Sequence, residues 1–397
     1  MDGMKTAIGF NGQGIQNKKM YLELKEKYKE TEVIIQRANQ ILSFDLVYVL
    51  QHEDLINAVE YTQVVVYIFN YITYQYMIEK MNIHPSIILG HSLGHYNALT
   101  CADVFSFENT LKIVERRAYL TSQCVRGHSC GLFAIKDKQI DIERIKDKCK
   151  QLSYGEKVVE VAIINSSEEV VIAYYDYFFE ELVECFNEYF LIKLNVSAPY
   201  HSSALNKIAA EFYKFLSEFP VNQPKIAVVS NCTGSLLEKE TIKSDLILHL
   251  TSTINMQRCI QYIRNYDVSD LVEVSFARVI SKTAKAMKNI NTYTIGLEEA
   301  QQNYHNALTA SKDNNMLTCF LELYGNLLSM PEREKYIPAS LLEEYYAILK
   351  TAYKDGRADY QCFAEFRSIY HDIATRSEGQ LTDDQTLLLQ YQLRMFE

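Results

Sequence analysis

Ser92 is the residue best placed to do chemistry, because of what surrounds it. The apolar run Ile87-Ile88-Leu89 stops abruptly in Gly90-His91-Ser92-Leu93-Gly94, and a helix-compatible segment begins at His95. Strand, tight turn and helix with a serine at the apex form a nucleophile elbow, in which a side chain at Gly90 or Gly94 would collide with the neighbouring strand or helix. The geometry pushes the Ser92 hydroxyl out at the carboxyl edge of a sheet. It also puts the Leu93 amide at a helix N-terminus, where it can stabilise an oxyanion. The pentapeptide alone also fits a glycine-rich turn that happens to hold a serine, so the other segments must decide.

Three of those segments bear on it. Thr6-Ala7-Ile8-Gly9-Phe10 reads as a strand running into Asn11-Gly12-Gln13-Gly14, a loop whose backbone can approach another group closely. Phe107 to Gln123 has helical periodicity, with Arg116 and Arg117 near its end. Ser197-Ala198-Pro199-Tyr200-His201-Ser202 is a strand exit that holds a histidine in a loop rich in proline and serine. Helical signals also cover Tyr21 to Asn39 and, with an amphipathic pattern, Thr62 to Met81.

The order of elements predicts an α/β fold. From Gly131 onward the pattern strand, helix, hairpin around Asn165-Ser166-Ser167, helix, strand is the ferredoxin-like order. Short strands at Lys225 to Asn231, Leu271 to Ser275 and Asn291 to Gly296 alternate with helical segments, which predicts a mainly parallel sheet covered on both faces. The expected domains are an α/β-hydrolase-like catalytic subdomain (1–126 and 199–300), an inserted ferredoxin-like subdomain (127–198) and a C-terminal helical extension (301–397).

Bulk properties narrow the function classes. A chain of 397 residues with a net charge of -10 does not suit nucleic acid or an anionic membrane surface as principal partner. No run approaches the ~18 uninterrupted apolar residues of a spanning helix, and Met1-Asp2-Gly3-Met4-Lys5 has no apolar signal core, so a cytoplasmic location is expected. The cysteines are scattered singly, which predicts buried thiols and no metal or disulfide framework.

Taken together, these motifs resemble the malonyl-CoA:acyl-carrier-protein transacylase family, including the discrete, trans-acting acyltransferases of polyketide assembly lines. The resemblance runs in register across about 300 residues, through Phe10 to Gln16, the elbow, Arg117-Ala118-Tyr119-Leu120, Ala162 to Ile172, Val196 to Ser202 and Val228 to Gly234. It implies that Ser92 is the nucleophile and His201 its base, with amides of Gln13 and Leu93 as the oxyanion hole. Arg117 would grip the free carboxylate of a dicarboxylic acyl group. Tyr200, His95, Asn165 and His249 fall at substrate-binding positions. No cofactor is implied, because the CoA thioester is itself a substrate. The implied partners are malonyl-CoA or a similar acyl-CoA and an acyl carrier protein, met by a monomer.

The chain departs from the family pattern at several points. Asn11 replaces a proline, His95 an acidic or amide residue, and His249 a glutamine whose expected contact with the catalytic histidine is through the main chain. Tyr200 stands where malonyl-selective members carry phenylalanine, and Ser275-Phe276-Ala277-Arg278 replaces a glycine-rich turn. His95 and Tyr200 open the possibility of a malonyl unit bearing a small polar substituent. An acidic carrier meeting an acidic enzyme requires a local basic patch, for which Lys282, Lys285 and Lys288 on one helix are the candidates. Two other classes compete: a hydrolase that clears acyl groups from carrier proteins, and a non-catalytic scaffold. Arg117 weighs against the first, since a neutral acyl chain gains nothing from a buried cation.

Overall fold

The computed structural model describes residues 5–14, 16–81, 83–275, 278–285 and 290–295, with the side chain of Lys285 left aside. All fall in the first of two units into which the chain divides, Met1–Gln301. All of the expected helical extension (301–397), Lys288 and the Phe276-Ala277 turn lie outside the described residues.

Two sheets organise the described chain. The strands are β1 (Lys5–Phe10), β2 (Ile87–Gly90), β3 (Cys130–Lys136), β4 (Val158–Ile164), β5 (Glu169–Tyr175), β6 (Phe190–Lys193), β7 (Ala227–Val228), β8 (Ile254–Asn255), β9 (Val268–Val274) and β10 (Asn291–Ile295). The first sheet has the order β10-β9-β1-β2-β7, and every pairing in it is parallel. Its interior strand β2 is short, apolar and fully buried, as burial on both faces requires, whereas edge strand β10 is largely polar. The second sheet, β6-β3-β5-β4-β8, is antiparallel apart from the edge pairing of β4 with β8. The order β6-β3-β5-β4 is that of a ferredoxin-like unit, and β8 joins it from a later part of the chain.

Alternation along β3, β4 and β5 sorts this second sheet's residues between two cores. Phe133, Ile135, Val159 and Ile172 face the helices Ile142–Leu152 and Phe179–Cys185. Leu132, Ala134, Ala162 and Ala173 join a cluster with Ala7 and Leu89 of the parallel sheet and with Cys259, Ile260 and Ile263 of the helix Met256–Asn265. One apolar core is thus shared by both sheets, which holds loops from each in a fixed relation.

The helices depart from the sequence reading in two places. Tyr21 to Asn39 is two helices, Lys18–Lys27 and Thr31–Asn39. The chain turns extended at Tyr28, and the Thr31 hydroxyl donates to the Leu24 carbonyl across the break. Thr62 to Met81 lies in a single helix, Val59–Met81, but it is not amphipathic. From Thr62 to Asn70 every residue is buried, polar Gln63 and Asn70 included. This helix packs on the shorter, amphipathic helix Phe107–Val125, and its buried polar residues serve neighbouring groups instead of solvent.

The elbow shows why its glycines are required. A Cβ on Gly94 would stand 2.1 Å from the Phe10 carbonyl oxygen, and one on Gly90 would stand 2.2 Å from the Gly94 carbonyl carbon. Both obstacles are backbone, which cannot rotate away. Gly94→Ala is therefore expected to destabilise the fold by about 1–3 kcal/mol or more, as overpacking does, whereas Gly9→Ala meets only the flexible end of Ile280. Urea denaturation of the two variants checks this; equal midpoints would overturn it.

Candidate active site

Ser92 sits at the apex with φ +52°, in the left-handed region that non-glycine residues rarely adopt. The amides of Gly94, His95 and Tyr96 are spent on the carbonyls of His91, Ser92 and Leu93 as the helix Gly94–Cys101 begins. The Leu93 amide donates to no group among the described residues, nor does that of Gln13. The loop carrying Gln13 presses on the elbow: a Cβ on Gly12 would lie 2.9 Å from the His91 oxygen and 3.1 Å from Ser92 Cβ. Two unspent amides thus flank the serine.

His201 Nε2 lies 2.7 Å from Ser92 Oγ. Its other ring nitrogen, Nδ1, lies 2.5 Å from the main-chain oxygen of His249, and its amide donates to the Leu250 oxygen at 3.1 Å. Both acceptors belong to the last turn of the helix Ile242–Thr251, where carbonyls lack intrahelical partners and carry the negative end of the helix dipole. A carbonyl can only accept, so Nδ1 must carry the hydrogen and Nε2 presents its lone pair to the serine hydroxyl. His201 is fully buried, with φ +60°. Burial first, and then the nearby Arg117 charge, push its pKa down to about 3, while the bond to the His249 carbonyl opposes the fall.

Arg117 is the largest fully buried side chain in the described structure, at 1 % exposure. Its Nη1 donates to Gln63 Oε1, while Nε and Nη2 find no acceptor. The guanidinium lies 4.8 Å from the Tyr200 ring centre and 5.5 Å from that of Tyr96. Gln63 completes the set by donating from Nε2 to the Tyr200 hydroxyl at 2.9 Å, and burial raises that phenol to about 12. A cation this deep with no carboxylate partner is costly on its own, which marks it as a seat for an anion. Arg116 next to it turns outward and pairs with Glu211.

The remaining expected residues separate. Asn165 is buried, with Oδ1 2.9 Å from His91 Nε2 and Nδ2 donating to Glu169. His95 is fully buried against Asp245, Nε2 to Oδ2 3.1 Å. The His249 ring is also fully buried, between His95 (centres 5.2 Å apart) and His201 (4.8 Å), so its main chain, not its ring, meets His201's Nδ1. Lys282 is exposed on the wall of a cleft of about 860 Å³ whose lining includes Asn165, Lys138 and Arg278.

Sequence reasoning missed Gln63, Ser230 and Asp245. Gln63 had a usable signal, as a lone amide ahead of Val64-Val65-Val66 in a buried helix. Among the described residues no cluster of histidine, cysteine and acidic groups suits a metal ion, and the cysteines are free thiols. No helix among them is long and apolar enough to cross a membrane.

A serine on a strand-to-helix elbow, with an imidazole on its hydroxyl and spare amides beside it, is the arrangement of serine-based acyl chemistry. The family model described as acyl transferase domain matches residues 9–318, and the chain belongs to that family. It is 29% identical over 287 residues to the malonyl CoA-acyl carrier protein transacylase of Staphylococcus aureus (strain MRSA252), a match covering 71% of this chain and 92% of that one. It is 28% identical over 291 residues to the polyketide biosynthesis malonyl CoA-acyl carrier protein transacylase PksC of Bacillus subtilis (strain 168), covering 70% and 98%. The crystal structure of FabD from Acinetobacter baumannii superposes with a TM-score of 0.71 at 26% identity, over 77% of this chain and 98% of that one.

The depressed pKa of His201 has a consequence for stability. An unfolded imidazole takes up its proton near its ordinary 6.5, the folded one only near 3. The unfolded state therefore binds more protons between these values, and stability falls as pH drops below 6.5, by about 1.4 kcal/mol per pH unit for this group. Buried His91 and His249 shift in the same direction. Urea midpoints measured from pH 8 down to 5 should fall below 6.5, and less steeply in His201→Gln; a flat profile would refute the burial of neutral imidazoles.

Proposed function

We propose that the protein is an acyltransferase that moves a malonyl-type acyl group from coenzyme A, through an ester on Ser92, to the phosphopantetheine thiol of an acyl carrier protein. The observation that carries this reading is Arg117, a buried cation with two unpartnered donors. It reaches the catalytic pair through Tyr200, whose ring centre is 6.4 Å from that of His201. The substrate class follows the names of the similar proteins, malonyl CoA-acyl carrier protein transacylases of fatty acid and polyketide type.

In this mechanism the Ser92 oxygen attacks the thioester carbonyl as its proton passes to His201 Nε2. The amides of Gln13 and Leu93 receive the oxyanion, an interaction whose loss typically costs about 100- to 1000-fold in rate. Collapse breaks the carbon–sulfur bond, and the departing coenzyme A thiolate takes the proton from His201. The carrier's thiol then gives its proton to the same nitrogen and attacks the ester, and collapse returns that proton to Ser92. The imidazolium formed in each half is favoured by the helix end behind Nδ1. Throughout, Arg117 holds the free carboxylate, and Tyr200 and Gln63 keep the guanidinium in place.

The domains would divide this work as the sequence suggests, with residues 1–126 and 199–300 carrying the dyad and 127–198 closing over the acyl group. Lys282, on the rim of a cleft whose lining carries both signs of charge, is the proposed contact for the acidic carrier. The Tyr200 hydroxyl, already held by Gln63, leaves room for selection of a polar substituent on the malonyl unit. Hydrolysis is the weaker reading, since clearing neutral chains would leave Arg117 buried without an acid.

Incubation with acyl-CoAs and carrier proteins, read by intact mass, tests the proposal. A malonyl adduct should form, pass to the carrier and be missing in Ser92→Ala; loss of the acyl group to water with no carrier adduct would sink the transfer reading. Arg117→Ala should lose malonyl loading on the order of 100-fold, from the charge-assisted bonds removed, while acetyl loading persists. Undiminished malonyl preference would refute the role given to Arg117.

A further inference from the structure

Three buried histidines lie in a row beneath the elbow, and only His201 has a part in the reaction above. His95 is on the first turn of the helix Gly94–Cys101, which follows Ser92, and its Nε2 meets Asp245. Asp245 is on the first turn of the helix Ile242–Thr251, one turn ahead of His249 and Leu250, whose carbonyls hold His201. The other oxygen of Asp245 accepts from the Ser230 hydroxyl, which also accepts from the amides of Cys232 and Thr233. Asn231, next in the chain, donates to the Gly90 oxygen at the foot of the elbow. The His249 ring fills the space between His95 and His201, its edge against Tyr96.

We infer that the His95–Asp245 bridge is a positioning device that sets the distance between Ser92 and His201. It ties the helix carrying the nucleophile to the helix that grips the base, and the His249 ring is the spacer between them. A buried pair of this kind adds little net stability, but it fixes one geometry where apolar side chains would permit several. Ser230 on Asp245 and Asn231 on Gly90 tie the same bridge to the sheet edge. No residue of the bridge touches the reacting atoms; each acts through Ser92 or His201.

The inference rests on the serine-ester reading above, so the test begins with the wild-type protein. If malonyl-CoA leaves no adduct on it, the functional reading itself fails. With an adduct established, the rate constant for Ser92 acylation is measured at varied malonyl-CoA by rapid quench, alongside thermal melting. His95→Ala should lower the saturating rate about 10- to 100-fold, the size of effect that a small misplacement produces, and leave the half-saturating concentration within about twofold. His95→Gln, whose amide can still donate to Asp245, should return the rate to within about threefold of wild type. Ser230→Ala, which removes one bond to Asp245 and leaves both helices intact, should show a smaller loss with the same split and serves where His95→Ala does not fold. Wild-type rates in His95→Ala and Ser230→Ala would overturn the inference. So would a loss confined to half-saturation, or one that His95→Gln leaves unrepaired.

Discussion

Everything at this site depends on the end of one helix. The last turn of Ile242–Thr251 offers two carbonyls to His201, one to its amide and one to Nδ1. With the ring tautomer and direction set by main chain, no acidic side chain has to be buried beside the base. That suits the neighbourhood, because a second full charge next to Arg117 would pair with it and occupy the donors that an incoming acid needs. The helix end supplies a partial negative charge that cannot swing away or be protonated. The side chain at position 249 then has no part in orienting the proton, and its buried ring is left to pack between His95 and His201.

The charge on Arg117 shapes the base as well as the substrate. It is the second cause, after burial, of the low proton affinity of His201. In the proposed reaction a bound malonyl carboxylate cancels that charge at short range. Burial, the larger cause, would remain. A neutral acyl chain would meet both an uncompensated cation and a poor base. In the proposed reaction, selectivity for an acid would rest on a single buried guanidinium.

Much of this was legible in the sequence, and the parts that were not share a cause. The elbow could be read because its requirement is local: glycine, serine and glycine at fixed positions answer to backbone collisions within a few residues. The parallel sheet and the ferredoxin-like order followed from strand and helix periods. By contrast, Gln63, Asp245 and Ser230 acquire their meaning from partners 54, 150 and 15 residues away, and no periodicity encodes such pairs. Thr62 to Met81 reads as amphipathic, and the fold departs from that for the same reason. Its polar residues look solvent-facing in sequence, yet Gln63 and Asn70 are buried because Arg117, Tyr200, Asn97 and the Asn11 carbonyl receive them. His95 and His249 stood out as departures, but only the fold reveals that they are neighbours.

Two other departures from the family pattern are also neighbours, and each explains the other. Asn11 stands where a proline would stiffen the loop before Gln13, and Ser275 begins what would be a glycine-rich turn. In the folded chain the Asn11 side-chain Nδ2 donates to both Ser275 Oγ, at 2.6 Å, and Glu273 Oε1, at 2.7 Å. Glu273, fully buried, in turn accepts from the amides of Val279, Ile280 and Ser281 at the start of the next helix, which a carboxylate at that end stabilises. The Asn11 carbonyl is held from the other side by Asn70. A proline limits a loop by fixing one dihedral angle; here side-chain hydrogen bonds from two directions do the same work. The amide of Gln13, two residues on, is steadied by tertiary bonds instead of ring closure. Replacing Asn11 by proline would remove one donor from the buried Glu273 carboxylate and one from the Ser275 hydroxyl at the same time.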